Sequence, residues 1–528
     1  MFNKEWRLQT WGELNQPWDV LIIGGGITGA GVLLHSAAAG LKALLVEAND
    51  FSSGTSSRSS KLIHGGLRYI LNKQYKVTQE SVRERERLMK EAPDLVTKLG
   101  FIFPNFTSYH ATSRQISVVI GIYDLLAPKW DHFKLSPKKV LQECPELVSD
   151  GLMGGYLYYD AAMDDSRVVL RVLKEAVKAG GTALNYVKAE KLLRDNSGRV
   201  CGSVLKDMSN PEGKDVQVKA RVVVNAAGPW ADQLRGQIGQ PARLRRVRGS
   251  HIIFPFEKLP MREALTLLHP HDKRAMFVIP WEGTIILGTT EVDQDTKLDE
   301  THAEPFMSVD EAGYMMEAAN ALFPGVKLSI SDAISSFSGL RPIIAGGADT
   351  ASKESRAHAL WEEEGMVTIT GGKYTTFRIM SRQAVMAVLK QLNRPLSIKR
   401  KRVFPRVKDT TAPNIAAGTL AYLSGRYGED TRGLINGAGA GDLERIGTLP
   451  NVWAELRWAA KNEAVVHLDD LLLRRVRLGM LLPDGAREHL ERIRSITQAA
   501  LDWSDQRWQQ EAQSYLNTWQ RYYSPRPG

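Results

Sequence analysis

DVLIIGGGITGAGVLLHSAAAGLKALLVEAND, residues 19–50, decides the fold. Residues 20–23 form a short apolar run with β-branched members, as a strand buried on both faces requires. Gly24-x-Gly26-x-x-Gly29 follows, and then a segment of helical period that ends at Gly40, a C′ cap. A second strand, ALLVE, ends on Glu47. In such a unit one glycine makes the tight turn, one lets backbone approach a pyrophosphate, and one lets helix and strand pack closely. The unpaired N–H groups at the helix N-terminus then face the phosphates. Glu47 stands where an acid binds a ribose hydroxyl pair, which disfavours a 2′-phosphate and so NADP. NAD and FAD both remain open at this point.

The next stretch favours FAD. A nicotinamide enzyme would continue with alternating strands and helices, but here GTSSRSSKLIHGGLRY follows, residues 54–69. Small residues permit close backbone approach, and Ser and Thr hydroxyls can donate to a flavin pyrophosphate or ring edge. Downstream, ARVVVNAAGPWADQL (220–234) is a second strand and turn, and MVTITGGKYTTFRIMSRQAVMAVLKQL (366–392) is a third strand, a Gly-Gly turn and a long helix. That helix would aim its N-terminal dipole at an electron-rich group such as the flavin carbonyl region. One cofactor domain assembled from three distant segments accounts for the spread of motifs. The candidate cofactor contacts are Gly24, Gly26, Gly29 and Glu47; Thr55, Ser56, Ser57, Ser60, Lys61 and His64; and Val187, Ala227, Gly228, Gly372 and Thr375.

The 528 residues exceed one ordinary core, so two or three lobes are expected. Hydrophobic content of 43% and charged content of 24% are those of a soluble globular protein. Two cysteines, Cys144 and Cys201, suit a reducing compartment. The N-terminal residues show no secretory leader, and no window reaches the length of a spanning helix. ISVVIGIYDLLA (116–127) comes closest and reads as a buried or interfacial helix. The expectation is a cytosolic protein, or one attached to a membrane face from the cytosol. A net charge of +10 calls for an anionic partner. RLRRVR (243–248), KRKRVFPRVK (399–408) and RRVR (474–477) are basic clusters, each of which reads first as a solvated face.

The set GGGITGAG, TSSRSSKLIHGGLRY, NAAGPWAD, RGSHIIF, SGLRPI and TITGGKYTTFR resembles the FAD-dependent, respiratory glycerol-3-phosphate dehydrogenases of the D-amino-acid-oxidase-like flavoprotein superfamily. The likeness covers nearly the whole chain, including DDLLLRRVRLGML (469–481). The Gly motif is shared across the superfamily, whereas SSKLIHGGLRY with SGLRP and GGKYTTFR is far more restrictive. The resemblance implies FAD as cofactor, oxidation of sn-glycerol 3-phosphate to dihydroxyacetone phosphate by hydride transfer to the flavin, and a quinone as electron acceptor. It also implies a cytoplasmic protein peripherally attached to the inner face of the cytoplasmic membrane. The chain departs from the commonest pattern at Glu291 in LGTTEVD, where the family more often has Asp after the paired threonines.

The residues themselves converge on an anionic substrate. Arg68, Arg341 and Lys373 follow Gly-containing turns in GGLR, SGLR and GGK. Glycine there lets a small ligand lie against backbone while a cation reaches its charge. A guanidinium donates two parallel hydrogen bonds to a phosphate, and an ammonium adds a point charge. A base near the flavin must take the hydroxyl proton. The resemblance points to both His64 and His251, and the choice between them stays open. Tyr69 could donate to a substrate oxygen, with packing as the equal alternative. His35, His110 and His269 read as structural, and no metal is expected.

The expected architecture is α/β: a Rossmann-like FAD domain from segments near 1–90, 161–235 and 346–398, a substrate lobe near 91–160 and 236–345, and a helical domain over 399–528. HIIFPF, AMFVIPW and TIILGTT suggest an antiparallel sheet walling the flavin. Trp508, Ala512, Tyr515, Trp519 and Tyr522 form an apolar helical stripe, suited to the neighbouring domain or else to a membrane or a second copy in a homodimer. SVRERERLMKEA (81–92) has too little apolar area for an anchor. Rival readings are a glycerol-3-phosphate oxidase using oxygen, an amino-acid oxidase of the same superfamily, and a nucleic-acid-binding flavoprotein. The first tends to carry an extra inserted segment, the second leaves the cations unexplained, and the third lacks stacking aromatics among its basic residues.

Overall fold

The computed structural model describes residues 2–66, 70, 74–126, 131–210, 212–294, 304–347, 354, 357–399, 402–406, 412 and 415–525. Arg68 and Tyr69 lie outside the described residues.

The opening motif builds the centre of the first sheet. Trp18–Ile23 lies between Ala43–Val46 and Val216–Asn225, parallel to both. Met366–Gly371 and Thr182–Leu184 extend the parallel core on either side, and His358–Glu363 adds an antiparallel edge. Three helices, Ile27–Ala38, Asp165–Lys178 and Phe377–Gln391, share one apolar core with this sheet. On the other face, residues of Val187–Arg194 and Val200–Asp207 close a second core over Leu21, Ile23, Leu44 and Val223. With both faces covered, the central strand has no use for polar alternation, which is why DVLII reads as a continuous apolar run. Gly40 ends its helix at φ +75°, a left-handed position that suits a residue without Cβ.

The second sheet has ten strands, all antiparallel save where Ala264–Leu268 runs parallel to Val96–Phe106. HIIFPF, AMFVIPW and TIILGTT fall in three of its strands: Leu244–Pro255, Ala275–Trp281 and Thr284–Gly288. Strand alternation divides their side chains. Ile252, Phe254, Val278 and Leu287 pack with the helix Val309–Leu322, whereas Ile253, Ile279 and Ile286 join a core shared with the C-terminal helices. Leu62–Ile63 pairs at the sheet edge with Leu152–Met163, so the serine-rich segment bridges the two sheets.

Beyond residue 415 the chain is helical. Trp508, Tyr515 and Trp519 are buried in the chain's own core with Trp281 and Phe337 of the second sheet, so the apolar stripe is consumed internally. One basic cluster departs from the solvated-face reading; in KRKRVFPRVK the apolar pair is buried while Lys399 and Arg406 are exposed. Val403 and Phe404 are fully buried, and both donate backbone N–H groups to the Glu91 carboxylate at 2.7 and 3.3 Å. Arg474, Arg475 and Arg477 are buried in ion pairs with aspartates of the first half of the chain. Among the described residues, no helix is long and apolar enough to cross a membrane.

Candidate active site

A cavity of about 1660 Å³ lies between the C-terminal ends of the parallel strands and the second sheet. Gly24, Gly26 and Glu47 line one end; His251, Thr289 and Arg341 line the other.

At the first end, the glycines stand where the packing leaves no room for a side chain. A Cβ on Gly24 would lie 2.4 Å from the Ala226 carbonyl oxygen, and one on Gly29 would lie 1.9 Å from the Gly24 carbonyl oxygen. The Glu47 carboxylate accepts N–H bonds from Gly25 at 2.6 Å and Asn49 at 3.0 Å. Burial raises its pKa, and those two bonds oppose the shift. Ser56 Oγ accepts the Ile27 N–H at 3.0 Å, so a loop hydroxyl sits at the N-terminus of the first long helix. Ala227 and Gly228 line the cavity beside it, and the Gly228 carbonyl accepts Thr370 Oγ1 at 3.0 Å. The half-buried carboxylate, the helix N-terminus and the side-chain-free cradle fit the ribose and pyrophosphate of FAD.

At the other end, His251 is buried and stacks on Phe337 with ring centroids 4.6 Å apart and planes 8° apart. Its Nε2 lies 2.8 Å from Ser60 Oγ, and its Nδ1 has no hydrogen-bond partner. Burial, reinforced by the charges of Arg341 and Lys61, holds the imidazole well below the usual histidine range, so the ring is neutral at pH 7. Arg341 stands opposite Val247 in the pairing of Ser335–Ile344 with Leu244–Pro255, and Phe337 stands opposite His251. Period-2 alternation puts Val247, Gly249 and His251 on one face, with Gly339 opposite Gly249. Gly249 opens a hollow in that face, and the Arg341 guanidinium enters it: a Cβ on Gly249 would lie 2.5 Å from Arg341 Nη2, whereas one on Gly339 would meet the Arg58 carbonyl oxygen at 2.6 Å. Arg341 Nη2 donates to Thr289 Oγ1 at 3.0 Å. The glycine before Arg341 is thus a strand residue, not part of the turn expected from SGLR.

Lys373 does follow a turn, with Gly371 and Gly372 at φ +74° and +68°. Its ammonium donates to the Gly65 carbonyl at 3.2 Å and to Ser81 Oγ at 2.8 Å, and Thr375 Oγ1 donates to the His64 carbonyl at 3.3 Å. Both residues therefore hold the His64 loop, and His64, Lys373 and Thr375 all line the cavity.

The profile of the family described as FAD dependent oxidoreductase matches residues 19–378, and that of the C-terminal domain of alpha-glycerophosphate oxidase matches residues 367–508. The chain belongs to the FAD-dependent oxidoreductases. The aerobic glycerol-3-phosphate dehydrogenases of Staphylococcus haemolyticus and Staphylococcus aureus are each 33% identical to it, over 87% of this chain and 87% of theirs. The crystal structure of the glycerol-3-phosphate dehydrogenase from Bacillus halodurans, complexed with FAD, is 28% identical with a TM-score of 0.80 and covers 100% of this chain and 99% of its own. The L-α-glycerophosphate oxidase of Mycoplasma pneumoniae shares the fold at 18% identity and a TM-score of 0.59, over 75% of this chain and all of its own.

Within this oxidoreductase, four expected cofactor contacts stand apart from the cavity wall: Gly29, which packs against the Gly24 carbonyl, and Ser57, Lys61 and Val187. Lys61 is fully buried, donating to the Ser57 carbonyl at 2.6 Å and to both carboxylate oxygens of Asp165 at 3.0 and 3.1 Å. Ser57 is buried with its carbonyl turned to that ammonium. Val187 is buried and gives its N–H to the Glu47 carbonyl at 2.7 Å, while its neighbours Tyr186 and Lys188 line the cavity. A lysine between a serine and a leucine carries no sign of which way it points, because the acid that buries it is 104 residues away. Gly249 and Thr289 were not among the candidates. The signal for Gly249 was present in RGSHIIF, where it shares a strand face with His251. Glu291 pairs with Arg274 at 2.7 Å, an internal partner for the family-atypical acid.

Proposed function

We propose that the protein oxidises sn-glycerol 3-phosphate to dihydroxyacetone phosphate, with FAD as cofactor and a quinone as the final electron acceptor. The hollow over Gly249, with Arg341 inside it and His251 two residues along the same strand face, carries this reading. Bound FAD supplies a two-electron acceptor. Arg341 offers the phosphate a planar pair of N–H donors, and Thr289 fixes the guanidinium's orientation. His251 on the neighbouring strand, neutral at pH 7, takes the proton from the C2 hydroxyl, with Ser60 orienting the ring through Nε2. Lys373 and Thr375 keep the His64 loop closed over the same space. Phe337 and the buried sheet face exclude water, which strengthens every charged contact inside.

Two features support attachment to the inner face of the cytoplasmic membrane, where a quinone is reached. The helix His110–Leu126 exposes Val118 and Leu125, two turns apart on one side. The net charge of +10 suits an anionic lipid surface.

Anaerobic mixing of the purified yellow protein with sn-glycerol 3-phosphate tests the reading. Rapid bleaching of the flavin band with this compound, and none with glycerol or D-amino acids, is the expected result. No bleaching would remove the substrate assignment. Recovery of the band with a quinone, compared with air, then separates dehydrogenase from oxidase.

A further inference from the structure

The buried arginines of the C-terminal domain converge on the adenosine end of the dinucleotide site. Arg475 grips Asp50 bidentately, Nη1 to Oδ2 at 2.5 Å and Nη2 to Oδ1 at 2.7 Å, and Arg474 Nε reaches Oδ2 at 2.5 Å. Asp50 lies three residues after Glu47 and lines the same cavity, as do Arg474 and Asp469. The neighbouring loop is held by the same domain. Asn185 Nδ2 donates to Asp50 Oδ1 at 3.0 Å and to the Ala464 carbonyl at 2.8 Å, and the Tyr186 hydroxyl donates to Asp470 Oδ1 at 2.6 Å. Tyr186 sits at φ +53°, a conformation that a bulky side chain keeps only when its surroundings impose it. The two loops are tied to each other as well, Tyr186 N–H to the Asn49 carbonyl at 2.8 Å and Val187 N–H to the Glu47 carbonyl at 2.7 Å.

We infer that Arg474 and Arg475 are positioning residues for FAD, through which the C-terminal helical domain fixes residues 47–50 and 184–187 around the adenosine. Glu47 can meet a ribose only if the backbone after it stays put, and residues 47–50 are a loop with little regular structure of their own. Burial opposes the Asp50 charge, and the two guanidiniums outweigh it, holding the pKa down at about 2. The anchor is therefore charged throughout the working pH range. The inference rests on the FAD reading of the cavity and not on the identity of the substrate.

Titration of FAD into apoprotein, followed by quenching of flavin fluorescence well below the melting temperature, tests it. Asp50→Asn and Arg475→Met should each weaken FAD affinity by about tenfold or more, since a buried charged contact is lost beside the ribose site. Arg475→Lys, which keeps a charge but not the bidentate grip, should recover part of that loss. Apoprotein melting temperatures are measured alongside. An FAD affinity within twofold of wild type in Asp50→Asn, with a lowered melting temperature, would overturn the inference and leave the pair as ordinary domain packing. Should Arg475→Met fail to fold, Asp50→Asn decides alone, because it leaves Arg474 its bonds to Asp469 and Asp470 at 2.8 and 2.5 Å. No substrate enters this titration, so a failure of the glycerol 3-phosphate reading registers only in the bleaching experiment.

Discussion

Replacing Gly249 by alanine adds one methyl group at the floor of the substrate end. The new Cβ would lie 2.5 Å from Arg341 Nη2, 2.7 Å from Thr289 Oγ1 and 2.8 Å from Arg341 Cζ. Carbon needs about 3.5 Å, so the guanidinium must retreat by about 1 Å. The obstructing atoms end side chains rather than forming backbone, and Gly249 is an ordinary strand residue, so the sheet accommodates the change. The cost falls on the Arg341–Thr289 bond and on the alignment of the guanidinium with its anion. One hydrogen bond to a charged group contributes about 1.5–3 kcal/mol, or about a 10- to 150-fold change in binding. Gly249→Ala should therefore raise KM for glycerol 3-phosphate by a factor in that range, with FAD content unchanged. Steady-state assays with an artificial electron acceptor, together with the ratio of flavin to protein absorbance, read both quantities. A KM within twofold of wild type would mean that Arg341 does not hold the anion. Gly24→Ala is the contrasting control: its Cβ meets the Ala226 carbonyl, a backbone atom that cannot swing aside, and it should lose FAD instead.

Three further outcomes are expected. Arg341→Ala should abolish turnover of glycerol 3-phosphate while the purified protein stays yellow, and loss of the flavin would show that the residue serves the cofactor. Glu47→Gln should weaken FAD binding by about tenfold on titration of the apoprotein, because the carboxylate that orders Gly25 and Asn49 loses its charge. Burial lowers the pKa of Lys61 to about 7, against about 10.4 in an unfolded chain, and that of Lys174 to about 8. Between pH 7 and 8 the unfolded chain thus binds more protons than the folded one, so stability rises with pH, by up to about 1.4 kcal/mol per unit for each group. Urea unfolding at pH 7.0 and 8.0 should show that rise, and a smaller one in Lys61→Met; a flat or falling dependence in the wild type would refute it.

The cofactor half of the site was legible because its chemistry is local. Gly24, Gly26, Gly29 and Glu47 act within one strand–turn–helix–strand unit, and their spacing states their geometry. Arg341 and His251 were legible as residue types in motifs, but their relation was not. It arises from the pairing of two strands about ninety residues apart in sequence, in which Gly249 meets Gly339. The glycine of SGLR looks like turn chemistry in sequence, and only the fold shows that it admits the Arg58 backbone, whose carbonyl oxygen would lie 2.6 Å from a Cβ there. Lys61 shows the limit from the other side. Its neighbours Ser56 and Ser60 face the cavity, and Lys61 instead faces Asp165 in the core.

Arg341 and the arginines of RRVR show why a count of cations misjudged where the charge acts. Arg474 and Arg475 meet Asp50, and Arg477 meets Asp164 and Asp165, partners more than 300 residues away in sequence. Leaving such guanidiniums buried without a partner would cost several kcal/mol each, so their burial requires the acids. Each such pair removes a positive and a negative charge together, so the +10 balance is left to the rest of the molecule. Arg341 lines the cavity and donates to the Thr289 hydroxyl and the Thr290 carbonyl. The same residue type thus lines the cavity from one lobe and ties the lobes together in the other.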